Sequence, residues 1–192
     1  MQYMVAIEDW IDDLDLTDGA SRRVAETELL RHGEEAVTAL IQALNSVSLR
    51  QKIVIVKLLG RTASTRALMA IRRALLDPQW LVRQAAVQAL GCFPAESVLP
   101  LVYHCLYDVA LLVRIEAVTT LGRLRHSSAV PTLLAHLYST TSEVETYTLI
   151  EALGACGDRS LIPTIEPYLQ HDHPRVAANA NKAITNLNRQ RA

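Results

Sequence analysis

The sequence predicts an all-α solenoid, built from short helical hairpins stacked side by side. Three observations carry that prediction. The stretch "LVRQAAVQALG" at 81–91 returns in near-copy as "LVRIEAVTTLG" at 112–122. Glycines close similar phrases at Gly60, Gly91, Gly122 and Gly154, in nearly equal steps that match the offset between those two stretches. Half of the 192 residues are hydrophobic but only one is Phe, and the seven glycines and seven prolines are spaced out. A core of Leu, Val, Ile and Ala suits interlocking helices, and such a composition does not describe a disordered chain.

The elements follow in order. In "VAIEDWIDDL" the residues Ile7, Trp10, Ile11 and Leu14 share one helical face, with acids opposite. That is an N-terminal capping helix within 1–18, needed because the end of a stack otherwise exposes an apolar edge. Residues 21–48 read as a divergent hairpin, "VAETELL" followed by "EEAVTALIQAL". In each later repeat the first helix carries a stripe such as Val82, Ala85, Ala86, Ala89 and Leu90, with helical spacing. The glycine after it is expected to end the helix in the left-handed conformation.

The second helix is marked at a constant distance past each glycine by Ile71, Val102, Leu133 and Ile165, with Leu75, Leu106, Leu137 and Leu169 about one turn further on. Ser97, Ser128 and Ser160 are expected as its N-caps, and Pro100, Pro131 and Pro163 as first-turn residues. The repeat that opens at Gly60 departs from this, with Arg66 and Met69 in those two columns. "PRVAANANKAITNL", from Pro174, reads as half a unit. The expected organisation is a single domain, 1–192, with the cap at 1–18, about five repeats over 21–172 and a C-terminal half repeat at 173–192.

Composition narrows the function. No apolar run is long enough to span a bilayer, and the acidic N-terminus is unlike a signal or transit peptide, so a cytoplasmic protein is expected. Cys92, Cys105 and Cys156 form no CxxC pair. His171 and His173 in "HDHP" read as a solvated turn, and no metal is expected. No GxxxxGK, GxGxxG or HExxH motif occurs.

The net charge is −1, but it is unevenly spread. Residues 1–48 hold ten acids and three arginines, a local −7, while residues 49–83 hold eight bases and one acid, a local +7. Two readings stay open: solvated faces that partly cancel across a neighbour contact, or a basic patch for an anionic partner. Head-to-tail self-association fits the same pattern. With three lysines in all and acids next door, nucleic-acid binding is disfavoured.

The phrase D-x-x-x-x-V-R-x-x-A-x-x-A-L-G is carried by Asp77, Val82 and Arg83, and its first part again by Asp108, Val113 and Arg114. It resembles the short HEAT repeats of the phycobilisome (phycobilin) lyase type, over roughly 21–188. The resemblance implies a HEAT-like α-solenoid whose second helices line a concave face. The class holds phycobilin lyase subunits, phycobilisome-degradation proteins and scaffolds with no catalytic role. Its lyase subunits usually pair as unequal HEAT-repeat chains that attach a bilin to a cysteine of a client phycobiliprotein in cyanobacteria, or detach or isomerise it. The nucleophile then belongs to the client, which agrees with the lack of an obvious catalytic constellation here.

Placed on that face by column, the candidate residues are Arg72, Arg73, Tyr103, His104, Tyr107, His136, Tyr138 and Tyr168. Tyr and Arg anchor protein interfaces; the same mixture suits a transiently bound bilin, with Tyr rings on pyrroles and Arg72 or Arg73 forked onto propionates. The competing reading makes them half-buried packing residues with wet polar tips. Asp77, Arg83, Asp108 and Arg114 read as a structural ladder, Asp accepting backbone N–H bonds and Arg bridging to a neighbouring Asp. The expected function is a protein-binding solenoid that handles bilin-carrying phycobiliproteins, with no resident cofactor and with a second HEAT-repeat chain as partner. The alternative is a non-catalytic adaptor.

Overall fold

The computed structural model describes residues 2–15 and 18–189. Among them there are twelve α-helices, three short 3-10 segments and no strand, so the all-α expectation holds. No described helix is long and apolar enough to cross a membrane. The chain divides into two compact units, residues 1–93 and 94–192.

In the first unit the helices are α1 (Gln2–Asp13), α2 (Gly19–Arg31), α3 (Gly33–Ala43), α4 (Leu49–Thr62), α5 (Thr65–Ala74) and α6 (Trp80–Leu90). The capping helix α1 packs on α2 and α3. It buries Ile7 and Ile11, the turn after it buries Leu14, and the half-buried Trp10 ring sits 4.9 Å from His32. Asp18 starts α2 by accepting the N–H groups of Ala20 and Ser21. Those bonds, with one from the Ser21 hydroxyl, hold its carboxyl down at about 2. Gly33 has φ +53°, a left-handed conformation that glycine adopts without strain at the turn between α2 and α3.

Ser48 and Gln51 form a reciprocal capping box at the start of α4. The Gln51 amide also donates to the Ile11 carbonyl at 3.2 Å. That bond ties the cap to the first full repeat and satisfies a buried polar side chain. Helix α4 then packs along α6, with α5 against both.

The second unit holds α7 (Ala95–Cys105), α8 (Leu111–Leu124), α9 (Val130–Ser139), α10 (Glu143–Cys156), α11 (Ile162–Ile165) and α12 (Pro174–Arg189). Helices α8, α10 and α12 lie side by side. The expected half repeat is α12, which buries Val176, Ala180, Ala183 and Leu187. The second-helix stripe is buried as expected at Val102, Leu133 and Ile165, as it is at Ile71 in the first unit.

Two local expectations are corrected. The periodic glycines do not supply left-handed helix ends. Gly60, Gly122 and Gly154 lie inside α4, α8 and α10, and Gly91 ends α6 with an ordinary φ of −64°. The left-handed positions are Ala63 and Arg125, each at φ 51°. Gly60, Gly122 and Gly154 are there for contact between neighbouring helices. A Cβ on Gly60 would stand 2.7 Å from the Ala89 Cβ, and one on Gly154 would stand 2.6 Å from the Ala183 Cβ.

The serines are not caps either. His126 and Asp158 cap the 3-10 turns Ser127–Ala129 and Arg159–Leu161, and their side chains accept the N–H groups of Ser128 and Ser160. Ser97 lies inside α7 and donates its hydroxyl to the Pro94 carbonyl. Pro131 and Pro163 do occupy first-turn positions, while Pro100 is inside α7.

Candidate functional site

Most of the candidate side chains are set by the end of a second helix. In the first unit, Arg72 and Arg73 occupy the last turn of α5, both exposed. With Met69 and Leu76 they line an open groove on one helix face. Elsewhere in this unit the opposite charges do cancel in part: Arg61 meets Glu26 at 3.4 Å and Arg66 meets Glu34 at 3.8 Å. Arg72 and Arg73 have no ionic partner among the described residues.

The aromatic candidates lie in the second unit and gather toward the ends of the second helices. Tyr107, just beyond α7, is 74% exposed, and Tyr138, in the last turn of α9, is 68% exposed. The Tyr107 ring meets His136 edge-on with centroids 6.0 Å apart. Tyr168 is half-buried and stacks on His171 at 6.4 Å. Burial, with the nearby Tyr138 phenol, raises its pKa above the ordinary phenol value. Val109, in the bend after Tyr107, and Leu111 and Leu112, at the start of α8, are also exposed. Tyr103 is anchored instead, its hydroxyl donating to the Ser128 carbonyl at 3.1 Å, and His104 is exposed in the last turn of α7. The structure therefore brings together Tyr107 with His136, and Tyr168 with His171.

Behind Tyr107 lies a polar centre that sequence reasoning missed. Glu145, at the start of α10, is buried. Its carboxylate accepts from the Arg114 Nε at 2.7 Å and from the Thr140 hydroxyl at 2.9 Å. The His136 Nε2 lies 3.6 Å from the same carboxylate, beyond hydrogen-bonding reach. Burial works to raise the Glu145 pKa, but the hydrogen bonds from Arg114 and Thr140 and the Arg114 charge outweigh it, so the carboxyl sits below its ordinary value. The Glu145 hydrogen bond in turn raises Arg114, against its own partial burial. Arg114 also donates to the Asp108 carbonyl at 3.0 Å. The surface aromatic cluster thus rests, through His136, on a charged network.

The ladder residues take related places. Asp77 accepts the Gln79 N–H and Asp108 accepts the Ala110 N–H, both at 2.8 Å. Arg83 donates to the carbonyls of Asp77 and Pro78. Lys52 meets the Asp77 carboxylate at 3.3 Å. Arg114 bridges to a glutamate of the next repeat, where an aspartate was expected. The signal for Glu145 was present: it stands one full repeat after Arg114, in the column of Arg83 and Arg114.

A further cluster lies between α10 and α12. Tyr147 stacks on His173 at 6.3 Å, and the Arg175 guanidinium covers its ring at 5.3 Å. His173 lies 3.6 Å from Glu143.

Residues 37–111 match the HEAT repeats family model, and residues 113–139 match the PBS lyase HEAT-like repeat. Among solved structures the chain is similar to the complex of CpcE and CpcF of phycocyanin lyase from Nostoc sp. PCC7120. The identity is 29%, over 79% of this chain and 64% of that one, with a TM-score of 0.67. This chain therefore spans just under two thirds of that relative. A designed armadillo repeat protein in complex with the peptide (KR)4 is 18% identical over 94% of this chain and 99% of that one, with a TM-score of 0.54, and shares the fold alone. No curated protein matches the chain in sequence. Residues 37–111 thus carry HEAT repeats, and residues 113–139 carry a PBS lyase HEAT-like repeat.

Proposed function

We propose that the chain is a subunit of a phycobilin lyase-type assembly that handles a bilin-carrying phycobiliprotein together with a second HEAT-repeat chain. The observation that carries this reading is the 29% identity over 79% of the chain to one component of a phycocyanin lyase complex. The residues of the lyase-type repeat, 113–139, include Arg114, His136 and Tyr138.

The exposed aromatic cluster supports the reading physically. Tyr107 and Tyr138 offer rigid rings with a polar tip, which suit both a protein surface and a stacked pyrrole. The Glu145 carboxylate behind them bonds both Arg114 of α8 and Thr140 after α9, which ties the ends of α8, α9 and α10 together and pre-organises the surface. In the other unit, Arg72 and Arg73 are free to fork onto carboxylates such as propionates. On this reading the chain positions client and bilin, and the nucleophilic thiol is the client's.

The test is co-expression with a phycobiliprotein subunit, a bilin source and a candidate second HEAT-repeat chain, with and without this chain. Bilin that stays on the client in a denaturing gel only when this chain is present supports the proposal. Equal incorporation without the chain refutes it, and co-purification with no effect on bilin content assigns the adaptor role instead. Tyr107→Ala/Tyr138→Ala is expected to lower client affinity at least ~10-fold if the aromatic cluster is the contact. Unchanged affinity removes that surface.

A further inference from the structure

The first unit carries two sets of charge that find no ionic partner among the described residues. One is basic. On α5, Met69, Arg72, Arg73 and Leu76 fall at i, i+3, i+4 and i+7 and line one groove. Met69 is 57% exposed and Leu76 85% exposed, so the apolar part of this face is uncovered. Two apolar side chains flanking two guanidinium groups is the composition of an interface core with charged steering groups.

The other set is acidic. Helix α1 buries Ile7 and Ile11 against the unit and turns Glu8, Asp9 and Asp12 outward, all exposed. None of these carboxylates has an ionic partner among the described residues. Other acids of the same unit do find theirs, as Glu26 and Glu34 do with Arg61 and Arg66. The cations and anions left over sit on different helices, α5 and α1.

We infer that the basic, apolar face of α5 binds the acidic face of α1 on a second copy of this chain. Opposite charges steer the two faces together, and Met69 and Leu76 are covered in the contact, which gives it a part that salt does not screen. Because the two faces differ, the contact is heterologous. As such it closes into a ring or grows by addition, unless two chains make it twice about a two-fold axis as one isologous pair. This self-association needs no bilin or client, but it covers Arg72 and Arg73, so it competes with any carboxylate forked onto that face.

The test is sedimentation velocity of the full chain over a concentration series at low and high salt. It is repeated for two charge-reversed variants, Arg72→Glu/Arg73→Glu and Asp9→Lys/Asp12→Lys, each checked for native helicity by circular dichroism. Wild type is expected to associate with concentration at low salt and to weaken at least ~10-fold when the screening length falls from ~30 Å to ~3 Å. Each variant alone is expected to weaken at least ~10-fold as well, since its two faces then carry the same sign. Mixing the variants restores association, because each acidic face again meets a basic one. A wild type that stays monomeric at low salt overturns the inference, and so does association that ignores both reversals or a mixture no stronger than its components. Since the readout involves no client, loss of this inference leaves the lyase-type reading standing, and the converse holds.

Discussion

Adding one methyl group to each of three glycines separates the two explanations for their regular spacing. Alanine in a helix interior is favoured over glycine by about 1 kcal/mol, so all three substitutions gain that amount before packing is counted. Packing then differs. At Gly122 the new Cβ would meet the Ala152 Cα at 3.2 Å and its Cβ at 3.3 Å. Ordinary carbon contacts are ~3.5–4.0 Å, so a shift of a few tenths of an ångström suffices, and the net effect is expected within ~0.5 kcal/mol of zero. At Gly154 the Cβ would stand 2.6 Å from the Ala183 Cβ and 2.7 Å from its Cα, and at Gly60 the corresponding distances to Ala89 are 2.7 Å and 2.9 Å. The obstacle is backbone, which cannot rotate away, so α10 and α12, or α4 and α6, must separate by about 1 Å to restore ordinary contact. Overpacking of this kind costs ~3 kcal/mol or somewhat more. Less the helix gain, this leaves about 2 kcal/mol of destabilisation, or roughly 4–8 °C in Tm for a chain of this size.

The assay is thermal unfolding followed by circular dichroism for Gly60→Ala, Gly122→Ala and Gly154→Ala, together with Gly154→Ala/Ala183→Gly. The double change removes the Cβ–Cβ clash but leaves the Cα, so partial recovery is expected. If all three single variants lose stability equally, or if Gly122→Ala is the worst, the interhelical explanation is wrong.

Four further outcomes follow from the structure. Ala63→Gly and Arg125→Gly relieve the left-handed φ of 51° at the ends of α4 and α8, and each is expected to raise stability by ~0.5–1 kcal/mol in denaturant titrations. Glu145→Ala strands Arg114, and a double-mutant cycle with Arg114→Ala should give a coupling of ~1–3 kcal/mol, moderated because Arg114 is a quarter exposed. Since the folded state lowers the Glu145 pKa, its stabilisation is full above the unfolded carboxylate value of ~4.3 and is lost as pH falls through the lower folded value; the pH profile of Glu145→Gln should be flatter than wild type there. A thiol reagent should label the exposed Cys92 rapidly and Cys156 slowly, because burial pushes the Cys156 thiol up to about 11; equal rates would contradict its burial.

The fold was legible because a stack repeats its contacts as regularly as its residues. Apolar stripes at helical spacing located most of the helices closely, and Ile7, Ile11 and Leu14 marked the cap. The glycine column was also visible, but its reason was misread, since a helix end and a helix–helix contact recur with the same period. The discriminating sign was in the sequence: Ala89, Ala152 and Ala183 each fall just short of one repeat past Gly60, Gly122 and Gly154, small residue against small residue. The candidate surface was legible only by column. Columns placed Tyr107 and Tyr138 outside, but they could not show that Tyr103 is tied to the Ser128 carbonyl or that His136 rests against Glu145. Those depend on where loops of different length bring neighbours.

Glu145 shows why. The column Lys52, Arg83, Arg114, Glu145 advances by one repeat at each step and changes sign at its last member. The aspartate column changes with it: Ser139 stands where Asp77 and Asp108 stand, and Thr140, the next residue, accepts the N–H of Ser142 in place of the aspartate. The carboxylate lost from one column has entered the other, and Arg114 keeps a partner at 2.7 Å. Charge balance is thus a property of the pair of columns, invisible when each is read alone. The consequence is testable. Glu145→Arg alone sets two guanidinium groups together with no acid between them, and is expected to cost ~2–4 kcal/mol. Ser139→Asp/Glu145→Arg rebuilds the arrangement of the earlier repeats, and should recover at least half of that loss in denaturant titrations. If the double variant is no more stable than Glu145→Arg, the two columns are not exchanging one charge, and Glu145 is held for another reason.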